Sequence, residues 1–311
     1  MRKIMLLCAA ICATVLVLAA PARATSVQTW VASSGADTGS CTQTAPCATF
    51  TYAMTQTLSG GAIGCLSSGS FGSITITGSI TIDCGTGQEG TTTCGGSCTA
   101  IDINASSTAN IALRHLNIKG IITSAGYGIN ASMAGGTLTV QDCTISGQGN
   151  AAISFAATSG RAQLIVSDTK ISNNGDGIII SPNSGVIVST MLDRVQITTI
   201  GDVGLWLNGS GTIAGSLRQS VIAGSADYGI YATATGGVYF TVEESSVIDN
   251  VGVGIAAFAS GVNIGVGAST LGGNGTAVDA ASGGSLVSFG NNQMSANGSN
   301  GSFTPGGPGL Q

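Results

Sequence analysis

Charge is scarce in this chain. Lys and Arg supply 9 of 311 residues and Asp and Glu 14, so charged residues make up 7%, against about 25% in an average soluble domain. A formal net charge of -5 with so few basic residues leaves no basic stripe, which excludes nucleic acid as the main partner. Disorder is excluded as well, because disordered chains combine low hydrophobicity with high net charge and this one is 43% hydrophobic. A single histidine leaves the run "CGGSC", Cys94 to Cys98, without partners for a four-ligand zinc site, and no metal or other cofactor is expected. Aromatic residues, at 5%, make sugar-stacking platforms few. Beyond the first two dozen residues there is no apolar run of spanning length, so no membrane association is expected after the leader described next.

The first 24 residues read "MRKIMLLCAAICATVLVLAAPARA". Arg2 and Lys3 precede an apolar run from Ile4 to Ala20, and Ala22-Arg23-Ala24 has the A-x-A form of a cleavage site. The expectation is a secretory leader over 1–24 and a soluble protein that is secreted or periplasmic. Cleavage would take Cys8 and Cys12 away and leave seven cysteines in a compartment where disulfides persist. Six fall before residue 100: Cys41, Cys47, Cys65, Cys84, Cys94 and Cys98. Our working set is Cys41–Cys47, Cys65–Cys84 and Cys94–Cys98, one of about 15 connectivities that six cysteines permit and among which sequence does not choose. Cys143 is left over.

What the chain has in excess is glycine, 49 residues, and a repeat. From residue 113 a six-residue unit recurs as "LRHLNI", "VQDCTI", "VSDTKI", "LDRVQI", "LRQSVI", "VEESSV", "VGASTL" and "FGNNQM", with starts 27, 26, 26, 25, 25, 24 and 23 residues apart. Between most copies lies a second anchor, a small residue followed by a branched apolar one, such as Gly177-Ile178 or Gly229-Ile230. A period in the twenties built of short β-rich runs punctuated by glycine and asparagine suits a β-solenoid, one coil per repeat. The segments between anchors are Gly, Ser, Thr and Ala, poor helix material, which argues against a leucine-rich repeat. Stacking then places Leu113, Val140, Val166, Leu192 and their successors through Phe289 in one inward column. Ile118, Ile145 and Ile171 begin another. The fourth position of the unit (Leu116, Cys143, Thr169, Val195, Ser220, Ser245, Ser269, Asn292) is expected at a turn and facing inward.

These columns resemble those of the secreted right-handed parallel β-helix proteins of the pectate-lyase-like superfamily, whose repeats carry an inward ladder of Asn, Ser, Thr or Cys at one turn. The resemblance covers residues 61–294. It extends to the N-terminus, where "TWVASSGADTGSCTQTAPCATFTYAMTQT" looks like the opening strand and capping helix of bacterial members, with the helix near 49–57. It implies an all-β, single-stranded right-handed parallel β-helix with a disulfide-rich N-terminal cap containing a short helix. The organisation expected is a leader over 1–24, strand and capping helix over 25–60, the β-helix over 61–294 and a tail over 295–311 that reads as flexible or as a loosely docked cap. In that fold Cys143 occupies a ladder position and is expected as a buried free thiol that packs as a small apolar group.

The third position of the unit faces outward and holds His115, Asp142, Asp168, Arg194, Gln219, Glu244, Ala268 and Asn291. His115, Asp142, Asp168 and Arg194 are the weak catalytic candidates. Asp142 and Asp168 on adjacent coils would lie roughly 5 Å apart, near the separation of about 5 to 5.5 Å in retaining glycosidases. Stacking gives any two acids of one column a similar spacing, so the distance alone selects no chemistry. The bland reading is that polar side chains hold a turn, with Arg194 and Asp168 as a surface ion pair. Superfamily hydrolases imply an Asp-Asp pair, a further Asp and a His, and this chain has no Asp-Asp dipeptide. Trp206, Tyr231, Phe240 and Phe258 are candidates for a shallow aromatic patch. The function expected is a non-catalytic extracellular or envelope module that binds carbohydrate, with polysaccharide as partner, or serves a structural role. The alternatives are a divergent polysaccharide lyase or glycosidase, and an adhesin or surface-assembly protein.

Overall fold

The computed structural model describes residues 25–86, 90–93, 99–122 and 125–305. Its chain runs as a parallel β-solenoid with three strands to a coil. A typical coil passes from Gly136–Gln141 to Thr144–Ser146 to Ala151–Ala157 and then returns to the first sheet at Arg161–Ser167. Strands stacked in this way form sheets of eleven, ten and ten strands, here called sheets I, II and III in the order the chain visits them. Every pairing within them is parallel and links segments one coil apart, such as Val140 with Val166 and Ile145 with Ile171.

Each sheet sends one continuous apolar column inward. On sheet I, Leu113, Val140, Val166, Leu192, Leu217, Val242 and Val266 stand in register. Sheet II supplies Ile118 through Leu271, and sheet III supplies Ile129, Ile153, Ile178, Leu205, Ile230, Ile255 and Val278. All are fully buried. The small residue before each sheet III member has a steric cause: a Cβ on Gly177 would stand 2.1 Å from the Gly204 carbonyl oxygen of the next coil. Phe289 departs from the expected column. Val266 pairs with Ser288 instead, and the Phe289 ring lies over Gly265 and Gly267, which have no side chains to displace it.

Two of the three corners are built alike. Between sheets I and II the outward residue adopts the left-handed conformation on seven successive coils, from His115 to Ala268, with φ between 48° and 52°. Between sheets II and III the same conformation recurs at Gly147, Asn173, Thr199, Gly224, Asp249, Gly273 and Ala296. Such angles are uncommon outside glycine and asparagine, so something must hold them. The next residue at each corner points inward and does so with hydrogen bonds. At the first corner Ser220, Ser245 and Ser269 each donate their hydroxyl to the carbonyl two residues back, at 2.6, 2.7 and 2.8 Å. The same hydroxyls accept the amide of the preceding coil, from Val195, Ser220 and Ser245 at 3.0, 3.2 and 3.2 Å. At the second corner Asn174, Asn250, Asn274 and Asn297 accept the amides of Gln148, Ser225, Asn250 and Asn274. These side chains extend the strand ladder around bends where backbone pairing breaks.

The N-terminal end is closed by the strand Ser26–Val31, the helix Phe50–Gln56 and the loop between them. Thr49 caps the helix by accepting the Tyr52 amide, and Phe50 meets Phe71 edge to face at 5.1 Å. Trp30 exchanges backbone bonds with Cys41 and Cys47, so this loop covers the free edge of the first strand. Disulfides join Cys41 to Cys47 and Cys65 to Cys84; the expected Cys94–Cys98 pair lies outside the described residues, as does the leader. The strand over 26–31 pairs with Thr57–Cys65 and so begins sheet I, placing the start of the solenoid before residue 61.

At the other end, of the two readings of the segment from residue 295, the docked one describes the chain through Thr304. Ser299–Gly301 pairs with the strand Thr276–Ala280, and Asn297 completes the asparagine ladder. Thr304 then bonds Leu286 through its amide and its hydroxyl, at 2.6 and 3.0 Å. Backbone pairing makes no demand on side chains, which is why a run as polar as "SANGSNGS" still docks.

Candidate functional site

The four catalytic candidates all stand at the first left-handed corner, and their contacts divide them into two groups. Arg194 grips Asp168 through Nε and Nη2 at 2.6 and 2.9 Å and reaches Asp193 with Nη1. This two-pronged guanidinium contact holds the Asp168 carboxyl below its ordinary pKa, the opposite of what a general acid needs. His115 lies between two carboxylates, with Nδ1 at 2.8 Å from Asp83 and Nε2 at 3.8 Å from Asp142. The nearest thiol is no nucleophile. Cys143 is buried and unpaired, donates to the Gln141 and Leu113 carbonyls at 3.2 and 3.5 Å, and burial pushes its pKa up to about 12. A reactive cysteine requires the reverse, a thiolate favoured at neutral pH. Asp83, one coil from His115, was absent from the sequence candidates because it lies before the clear repeats begin.

A different face gathers the groups that the corner lacks. Where the chain enters sheet III, a groove of about 450 Å³ runs across successive coils, lined by Tyr127, Asn150, Asp176, Ile179, Asp202 and Trp206 among others. Trp206 is held from two directions: its Nε1 donates to Thr233 at 3.1 Å, and Tyr231 stacks on it at 6.0 Å. Tyr231 in turn stacks on Tyr228 at 4.2 Å, and Phe258 meets both edge-on. Of the four aromatic residues picked out by sequence, Trp206, Tyr231 and Phe258 come together here, while Phe240 is core. Tyr228 completes the cluster.

Three aspartates border this stack on successive coils. Asp176 accepts the Val203 amide at 3.0 Å, and the Asp227 amide bonds the Asp202 carbonyl at 3.1 Å. Burial, and then the charge of Asp202, raise the pKa of Asp176 and of Asp227. The Tyr228 phenol is raised too, by burial first and the Asp227 charge next. The signal for this strip was available in the residues one or two places before each small-apolar anchor: Tyr127, Asn150, Asp176, Asp202, Asp227 and Tyr228. Among the described residues no cluster of three or more His, Cys, Asp or Glu is placed to hold a metal ion.

Fold and corners together define an all-β parallel solenoid with internal hydroxyl and asparagine ladders, carrying an aromatic and acidic groove on sheet III. No family model matches the chain, and no curated protein does. Among solved structures, the A-module of the mannuronan C-5 epimerase AlgE4 of Azotobacter vinelandii is similar over 81% of this chain and 91% of its own, at 10% identity and a TM-score of 0.40.

Proposed function

We propose that this is an exported, non-catalytic β-helix protein that binds polysaccharide, and that the sugar chain lies in the sheet III groove against Trp206. The observation that carries the reading is the fixed indole. An aromatic ring immobilised in advance by Thr233 and Tyr231 offers an apolar surface to a sugar ring with little ordering cost on binding. Asn150, Asp176 and Asp202 beside it supply acceptors and donors for sugar hydroxyls. That combination of a mostly apolar wall and a few convergent polar groups is the usual make-up of a small-ligand cleft. Retention on a panel of immobilised neutral, amino and uronate polysaccharides tests it. The wild type is retained by at least one and Trp206→Ala is not; a wild type retained by none refutes the reading.

One observation favours a second reading, a divergent glycosidase. Asp176 is half-buried with its pKa raised by burial, and it shares the groove with a second carboxylate, Asp202, as glycosidases work with two carboxylates. Release of reducing ends that disappears in Asp176→Asn would support this reading over simple binding.

A further inference from the structure

We infer that the sheet III groove selects a polysaccharide bearing free amines and excludes polyuronates. The inference rests on the binding reading above and concerns the charge of the sugar that the site accepts. Among the described residues six carboxylates stand on sheet III or the corner leading into it: Asp102, Asp176, Asp202, Asp227, Asp249 and Asp279. No strand of that sheet contains a lysine or arginine, and none lines the groove. The six basic residues after position 24 are all elsewhere. Arg114, Arg161 and Arg218 end or begin sheet I strands, Lys119 and Lys170 lie on sheet II, and Arg194 stands at the corner between them.

The contrast with the first corner is chemical as well as positional. There Asp168 and Asp193 share Arg194, and Glu243 faces Arg218 at 3.6 Å. Asp176, Asp202 and Asp227 have no cationic partner among the described residues. They succeed one another at the rise of the solenoid, about 4.8 Å per coil, so each adds to the negative potential of the next. A uronate chain laid along the groove would bring further negative charge into that field. An ammonium group instead meets an attraction in that field. The aromatic wall acts in the same sense, because the face of an indole attracts cations. Aromatic and acidic groups in the groove thus favour one ligand class together.

Calorimetric titration separates the possibilities, using a glucosamine oligomer with protonated amines, its N-acetylated counterpart and a mannuronate oligomer of equal length. The expected order is glucosamine oligomer tightest, acetylated oligomer weaker and mannuronate oligomer undetectable, with the first falling steeply as salt is raised. Asp202→Asn combined with Asp227→Asn should weaken the glucosamine oligomer roughly three- to tenfold more than it weakens the acetylated one. Both positions are exposed, so an unchanged melting temperature is expected and guards against a folding artefact. Mannuronate binding equal to or tighter than glucosamine, or glucosamine binding indifferent to the double substitution, overturns the inference; if that binding is still lost in Trp206→Ala, the groove reading survives. Binding of none of the three oligomers overturns the inference, and the groove reading falls with it when the polysaccharide panel also retains nothing.

Discussion

Thr169 Oγ1 lies 3.4 Å from the amide nitrogen of Cys143 and, on its own coil, donates to the Ser167 carbonyl at 2.8 Å. Cys143 repeats the second of these bonds one coil earlier with sulfur, donating to the Gln141 carbonyl at 3.2 Å. The unpaired cysteine is therefore a rung of the ladder, and its thiol stands in for a hydroxyl. This also explains why a left-handed residue, Asp142, precedes it: the bend is fixed by the rung behind it.

Substituting that rung tests the idea. Cys143→Ser keeps a donor and an acceptor and should change stability by less than about 1 kcal/mol. Cys143→Ala removes the donor to the Gln141 and Leu113 carbonyls together with its packing and should cost about 1–3 kcal/mol, read as a lower midpoint in urea. Iodoacetamide should label the wild-type thiol only on unfolding; rapid labelling of the folded protein would contradict its role as a buried rung.

Asn274 makes the densest set of ladder bonds. It accepts from the Asn250 backbone and side-chain amides at 3.1 and 2.8 Å and donates to the Val247 carbonyl at 2.9 Å. Asn274→Ala should lose about 2–4 kcal/mol, because several buried groups are orphaned at once. The coil with Ile200 at this position in the column shows that an apolar rung is accommodated where its neighbours have grown around it, so Asn274→Leu should cost no more than Asn274→Ala. Urea midpoints of the two variants decide the order.

The acids give stability a pH dependence of two signs. Asp176 has a raised pKa when folded, so the folded state holds its proton longer. Stability from this group declines as pH rises from the ordinary aspartate value to its raised one. Asp176→Asn retains an acceptor for the Val203 amide and should raise the melting temperature at neutral pH, with the gain vanishing below the ordinary aspartate range. Asp168, held low by Arg194, contributes the opposite slope: its stabilisation is present above the ordinary value and is lost as pH falls through the folded one. Arg194→Ala should flatten that acid limb in a series of thermal melts.

The corner column bears on stability and leaves ligand binding alone. Asp142→Ala with Asp168→Ala should leave polysaccharide retention within about twofold of wild type, since neither residue lines the groove. Loss of retention without loss of melting temperature would return the site to the corner.

Fold and site were unequally legible in the sequence. Val140, Val166 and Leu192 announce the solenoid because each coil rebuilds the same apolar environment and so demands the same kind of side chain. The capping helix, expected near 49–57 and found at Phe50–Gln56, was legible for a related reason, its local cap at Thr49. The groove was not. Tyr127, Asn150, Asp176 and Asp202 differ in type and lie at slightly different offsets before their anchors, so no ladder of like residues marks them. Only stacking brings them to one surface. The tail left two readings open for the same reason, since Ser299–Gly301 docks by backbone bonds and the composition of a linker conceals them.

The most direct measurement uses the tryptophan that the account places in the groove. The chain has two, Trp30 and Trp206, so Trp30→Phe leaves Trp206 as the sole tryptophan emitter. Titrating this variant with the oligosaccharide that binds most tightly by calorimetry should shift the emission saturably, with a midpoint matching the calorimetric Kd. Calorimetric binding that leaves Trp206 emission unchanged would put the sugar elsewhere and contradict the assignment of the sheet III groove.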